Sequence, residues 1–124
     1  MTTYITVCDT CKCEGWDAET AGQTDGECLA TLIESRAKGE PDVVVRRHSC
    51  LMGCAHACNI ALQSAGKLAY TLGRFDPTEE AADGIVSYAA AHAQSATGQV
   101  PYREWPAAVK GHFVTRHPPL PTDT

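Results

Sequence analysis

The sequence predicts an α/β domain: a mixed four-stranded sheet with the element order β-α-β-β-β-α and a C-terminal tail that wraps it. Three observations carry this expectation. Two β-rich runs, "YITVC" at 4–8 and "DVVVRRH" at 42–48, are separated by one helix signal. Two short runs about Ala65-Gly66 read as a hairpin, and a second helix signal follows at Asp76.

The first strand leads into "DTCKCEGWDAETAGQTDGE", a polar loop with three glycines, which predicts irregular backbone. Thr24 followed three residues later by Glu27 has the form of a capping box. Leu29, Leu32 and Ile33 then recur at helical spacing until Gly39 and Pro41 stop the run. Residues 42–48 read as a largely buried second strand. "NIALQSAGKLAYTLG" supplies the hairpin. In the second helix Asp76 is expected to cap, Pro77 to take the first helical position and Glu79 the third. Its apolar stripe is Ala82, Ile85, Val86, Ala89 and Ala93. Strands joined through a helix should be parallel, and the hairpin should extend the same sheet. This order is that of a thioredoxin-type fold.

Residues 1–97 are expected to form that unit. Residues 98–124, which hold five of the seven prolines, read as an extension packed on it and fraying at "PPLPTDT".

At 124 residues and a formal charge of -5, the chain fits one domain that would repel phosphate backbones, so nucleic acid is not the expected partner. An acidic surface suits a basic face on a protein partner. "MTTYITVCDTC" lacks the pattern of a secretory signal, and no run approaches membrane-spanning length, so a cytoplasmic location is expected. In that compartment an odd count of seven cysteines argues for metal or redox chemistry over a disulfide framework.

The cysteines fall in two groups. Cys8, Cys11 and Cys13 follow the first strand; Cys50, Cys54 and Cys58 follow the second. Parallel neighbours would set the two groups about 5 Å apart at one end of the sheet, facing a shared crevice. Four thiolates in two pairs suit a tetrahedral zinc or a [2Fe–2S] cluster. The spacing C-x3-C-x3-C departs from the C-x2-C of zinc knuckles and leaves room for the wider cluster. Three readings follow: a one-electron carrier, a zinc- or other metal-binding structural or delivery protein, and a thiol oxidoreductase built on Cys8-x2-Cys11. Residues 9–15 carry no amphipathic periodicity, which weakens the third, since such a dithiol normally opens a helix. A carrier performs no bond chemistry, so no enzyme class is assigned.

"ITVC" before a cysteine loop, "CLMGC" after a strand, "IALQSAGKLAYTLG" and "DPTEEAADGIV" together resemble the thioredoxin-like [2Fe–2S] ferredoxins, which include a small subunit of respiratory complex I. The resemblance implies that Cys50 and Cys54 are one ligand pair. Nearly the whole chain is also similar to a family of small bacterial proteins of unknown function labelled predicted metal-binding, through "VCDTC", "CLMGCAHAC", "GKLAYTLGRFDP" and "GQVPYREWP". That similarity implies Cys8 and Cys11 as the other pair and a link to cobalamin biosynthesis, beside which such proteins often occur. The complex I subunit type would use Cys13 in place of Cys11, and other relatives a residue at Cys28; Cys11 ranks first. Cys58 is expected to flank the site or fill an apolar gap. A one-electron carrier requires a redox partner protein; no membrane partner is expected, and a homodimer is compatible with the sequence.

The remaining residues have plainer readings. His48 and His56 flank the second group and could serve a Rieske-type site, but with enough cysteines they read as loop residues. His112 and His117 read as exposed tail residues, Trp16 and Trp105 as packing, and "RRH" as a solvated strand end. No phosphate-binding glycine loop is present. Gly53 suits a tight loop whose backbone amides face sulfur.

Overall fold

A computed structural model of the chain describes residues 2–12, 17, 22–49 and 57–119. The elements run β1 (Thr3–Cys8), α1 (Asp25–Ala37), β2 (Val43–His48), β3 (Ile60–Gln63), β4 (Ala69–Leu72), α2 (Glu79–Gln94), two 3₁₀ turns (Tyr102–Glu104 and Ala107–Val109) and β5 (Phe113–His117). The sheet has five strands in the order β2-β1-β3-β4-β5, not the four that the sequence suggested. β1 and β2 are parallel; every other pairing is antiparallel. The fifth strand comes from the tail, which adds an edge to the sheet by pairing with β4. The pattern concealed it because "FVTRH" is exposed at four of its five positions and so lacks the alternation of a half-buried strand.

Thr24 caps α1 as a capping box: its hydroxyl accepts from Glu27 N–H at 3.1 Å, while Glu27 Oε1 accepts from Thr24 N–H at 2.9 Å. These bonds, led by the one from the Thr24 backbone, hold the Glu27 carboxyl below its usual range. Leu29 and Ile33 are buried, with Leu32 partly so. The two helices lie against each other and against β1 and β2. From β1, Ile5 and Val7 enter the core with Leu62 and Ile60 of β3, their register partners.

Two local expectations are corrected. β2 is an edge strand rather than a largely buried one: Val43 is buried, but Val44 is 42% exposed and residues 46–48 face solvent. There Arg47 makes a two-pronged bond to Glu34 of α1, at 2.7 and 3.0 Å, which pulls the glutamate carboxyl down. The α2 cap is Thr78, whose hydroxyl accepts from Ala81 N–H at 3.2 Å. Asp76 and Pro77 precede it, since the Asp76 carbonyl is taken by Thr78 N–H in a tight turn. The predicted stripe of α2 is buried throughout.

His92, fully buried on α2, ties this helix to β1 and to the hairpin. Its Nε2–H donates to Leu68 O at 2.7 Å, which leaves Nδ1 to accept from the Thr3 hydroxyl at 2.8 Å. The buried Lys67 ammonium donates to the carbonyls of His92 and Ala93 at 3.0 and 2.6 Å, meeting the negative end of the helix. The ring is neutral in this network, and burial pushes its pKa below the ordinary 6.5. The unfolded chain therefore takes up a proton near pH ~6.5 that the native state resists. Stability is expected to fall as pH drops below that point, by at most about 1.4 kcal/mol per pH unit. Urea midpoints between pH 7.5 and 5 measure this, and His92→Gln should flatten the slope over that window.

Candidate metal centre

β1 lies between β2 and β3, and its last residue, Cys8, is the hub of the site. Cys8 stands in register with His48 on one side, and the ladder continues as Asp9 N–H donates to His48 O at 3.2 Å. On the other side Cys8 N–H donates to Asn59 O at 3.2 Å, just ahead of β3. Chain leaving β2 and chain entering β3 thus flank the same residue. Cys8 is 2% exposed and Cys11 4%.

Cys11 is joined to Cys8 by a loose turn, N–H to O at 3.5 Å. Its Sγ–H donates to Asn59 Oδ1 at 2.8 Å. No sequence pattern points to Asn59, which is 2% exposed; its role arises only when the start of β3 meets the end of β1. Cys58, also fully buried, exchanges both backbone hydrogen bonds with Phe75 at 3.2 Å. It is packed in the core, one residue before Asn59.

The N-terminus of α1 closes the site from a third direction. The Thr24 hydroxyl donates to Asp9 O, and Gly26 N–H donates to Cys11 O at 2.9 Å. An ideal Cβ on Gly26 would overlap the carbonyl oxygen of Cys8 and lie 3.0 Å from the carbonyl carbon of Asp9, so only glycine permits this approach. Asp9 Oδ1 is buried without a hydrogen-bond partner among the described residues, and its charge acts on Arg47.

The structure thus brings together Cys8, Cys11 and Asn59, the residue that follows Cys58 in the chain. Cys28 ends the first turn of α1, half-buried. Cys13, Cys50, Cys54, Gly53, His56 and Trp16 lie outside the described residues. Among the described residues no three histidines, cysteines or carboxylates group closely enough to hold a metal ion. His48 and His117 are exposed; His112, expected to be exposed, is instead half-buried, stacked on Phe75 at 4.3 Å with Nδ1 bonded to Gly73 O at 2.9 Å. No described helix is long and apolar enough to cross a membrane.

Comparison with known proteins places this geometry. The family model described as "Protein of unknown function (DUF1636)" matches residues 5–119, and the chain belongs to that family. No curated protein matches. Among solved structures, the chain is similar to a thioredoxin-like [2Fe–2S] ferredoxin from Aquifex aeolicus. The two are 15% identical, with 95% of this chain and 94% of that one covered and a TM-score of 0.57. At that identity the likeness establishes the thioredoxin-like fold.

Proposed function

We propose that this member of the DUF1636 family is a ferredoxin-like one-electron carrier, with a [2Fe–2S] cluster held by Cys8, Cys11, Cys50 and Cys54. The carrying observation is that Cys8 is bracketed by His48 and Asn59, one shortly before and one shortly after the segment that contains Cys50 and Cys54. Ten residues separate His48 from Asn59, ample chain to return across the end of one strand. The likeness in fold to a [2Fe–2S] ferredoxin adds support.

The donor set fits such a group. Buried thiols separated by two residues select thiophilic iron or zinc over hard cations. Bound there, the cluster would supply one-electron exchange. The chain's part is to present thiolates and to shield them. Each ligating cysteine gives up its proton, and Cys11 then no longer donates to Asn59. With the thiol deprotonated, the Asn59 amide N–H would be the group placed to hydrogen-bond the Cys11 sulfur. The dithiol reading fits less well, because Cys8-x2-Cys11 sits in a turn and the next helix begins at Asp25. A redox partner protein, a cytoplasmic location and a place beside cobalamin biosynthesis complete the proposal.

Cys8→Ser and Cys50→Ser, made separately and purified without oxygen, test it. Each is expected to lower iron from about two per chain to near none, because each removes a ligand of one centre. Full iron in either variant would sink the shared-site reading.

A further inference from the structure

Segment 97–105 and strands β4 and β5 enclose an open groove of about 740 Å³, and no cysteine lines it. Its walls are aromatic: Tyr70, Tyr102, Trp105 and Phe113. The rings are held in place before any ligand arrives. Trp105 stacks on Phe113 with centroids 4.5 Å apart, Tyr102 leans on Trp105 at 4.9 Å, and Phe113 meets Tyr70 edge-on at 5.4 Å. Trp105 Nε1–H donates to Val100 O at 2.8 Å, which fixes the indole. Five of the lining residues, Gln99, Val100, Pro101, Tyr102 and Trp105, come from "GQVPYREWP", a stretch to which the cysteine chemistry gives no role.

Among the described residues Arg116 is the one charged side chain on the groove, and no described carboxylate lines it. Among the described residues its guanidinium has no ion-pair partner, in a chain with a net charge of -5. Rigid aromatic walls with a single uncompensated cation have the character of a small-molecule site. We propose that the groove binds a flat aromatic carboxylate, its ring against Tyr102 and Trp105 and its carboxylate paired with Arg116. Flat rings gain stacked and edge-on contacts here that a puckered aliphatic would not, and a guanidinium takes a carboxylate through two parallel bonds. One cation is too few for a nucleic-acid backbone. The groove and the cysteine cluster share no residue, so this inference stands apart from the electron-carrier reading.

The test is titration of the intact protein with 2-naphthoate, followed by the indole N–H signal of Trp105, assigned by its loss in Trp105→Phe. A saturable shift is expected. The neutral 2-naphthamide and the saturated decahydro-2-naphthoate should each bind about fivefold more weakly or worse, as one lacks the charge and the other the flat ring. Arg116→Gln, an exposed change on an edge strand, should weaken naphthoate by a similar factor and leave naphthamide unchanged. Equal affinity of naphthoate with either analogue, no effect of Arg116→Gln, or no shift up to the solubility limit would overturn the proposal.

Discussion

Gly26→Ala is expected to destabilise the metal-free protein by about 3 kcal/mol, a large loss for a single methyl group on a helix. Alanine is the better helix former, so propensity alone predicts a small gain. Contact with backbone reverses the sign: the added Cβ would overlap Cys8 O, a main-chain atom at the end of β1 that cannot rotate away as a side chain could. Relief requires α1 to draw back from residues 8–11. That would break the bond from Gly26 N–H to Cys11 O and the one from Thr24 to Asp9 O. Both cysteines of the first pair would shift, so iron retention should fall along with the urea midpoint. Gly39→Ala is the control, since nothing lies within 4 Å of its would-be Cβ; it should move the midpoint by less than about 0.5 kcal/mol.

Gly98→Ala is expected to cost a comparable amount by a different route. Gly98 has φ +86°, a left-handed conformation that costs alanine about 1 kcal/mol. Its Cβ would also stand 2.8 Å from His92 Nε2, 2.9 Å from Leu68 O and 3.0 Å from Leu68 N. These atoms belong to the network that joins α2 to the hairpin, including Leu68 N–H to Thr97 O at 2.9 Å. Strain and crowding together should total about 3 kcal/mol, or roughly 10 °C in thermal midpoint for a chain of this size. Gly66 separates the two contributions. It has φ +73° with open space around it, so Gly66→Ala should cost only about 1 kcal/mol. Scanning calorimetry of the three proteins measures the difference.

These glycines mark where the sequence ceased to be informative. Local patterns were readable because the partner groups are close in the chain: Thr24 meets Glu27, and the stripe from Ala82 to Ala93 repeats at helical spacing. The parallel pairing of β1 and β2 followed from the helix between them. The residues that contact across distance were silent. Asn59 meets Cys11 across 48 positions, and Gly26 meets Cys8 only once α1 docks. Composition misled at β2, where three valines look like core although an edge position leaves Val44 exposed. At α2, Asp76-Pro77 and Thr78 both have the chemistry of a helix start, and turn geometry chose Thr78. Of the proposed ligands, Cys8 and Cys11 were legible as residues following a strand, which is where they sit; their choice as a pair over Cys13 or Cys28 came from the resemblance alone.

The most direct measurement is the visible and electron-spin-resonance spectrum of protein purified under anaerobic conditions, taken before and after dithionite. If remote cysteines jointly bind a two-iron centre, the solution is red-brown, bleaches on reduction and then gives a rhombic signal, with about two irons and two sulfides per chain. A colourless protein carrying one zinc, or one free of metal whose only redox event is a reducible disulfide, would contradict it.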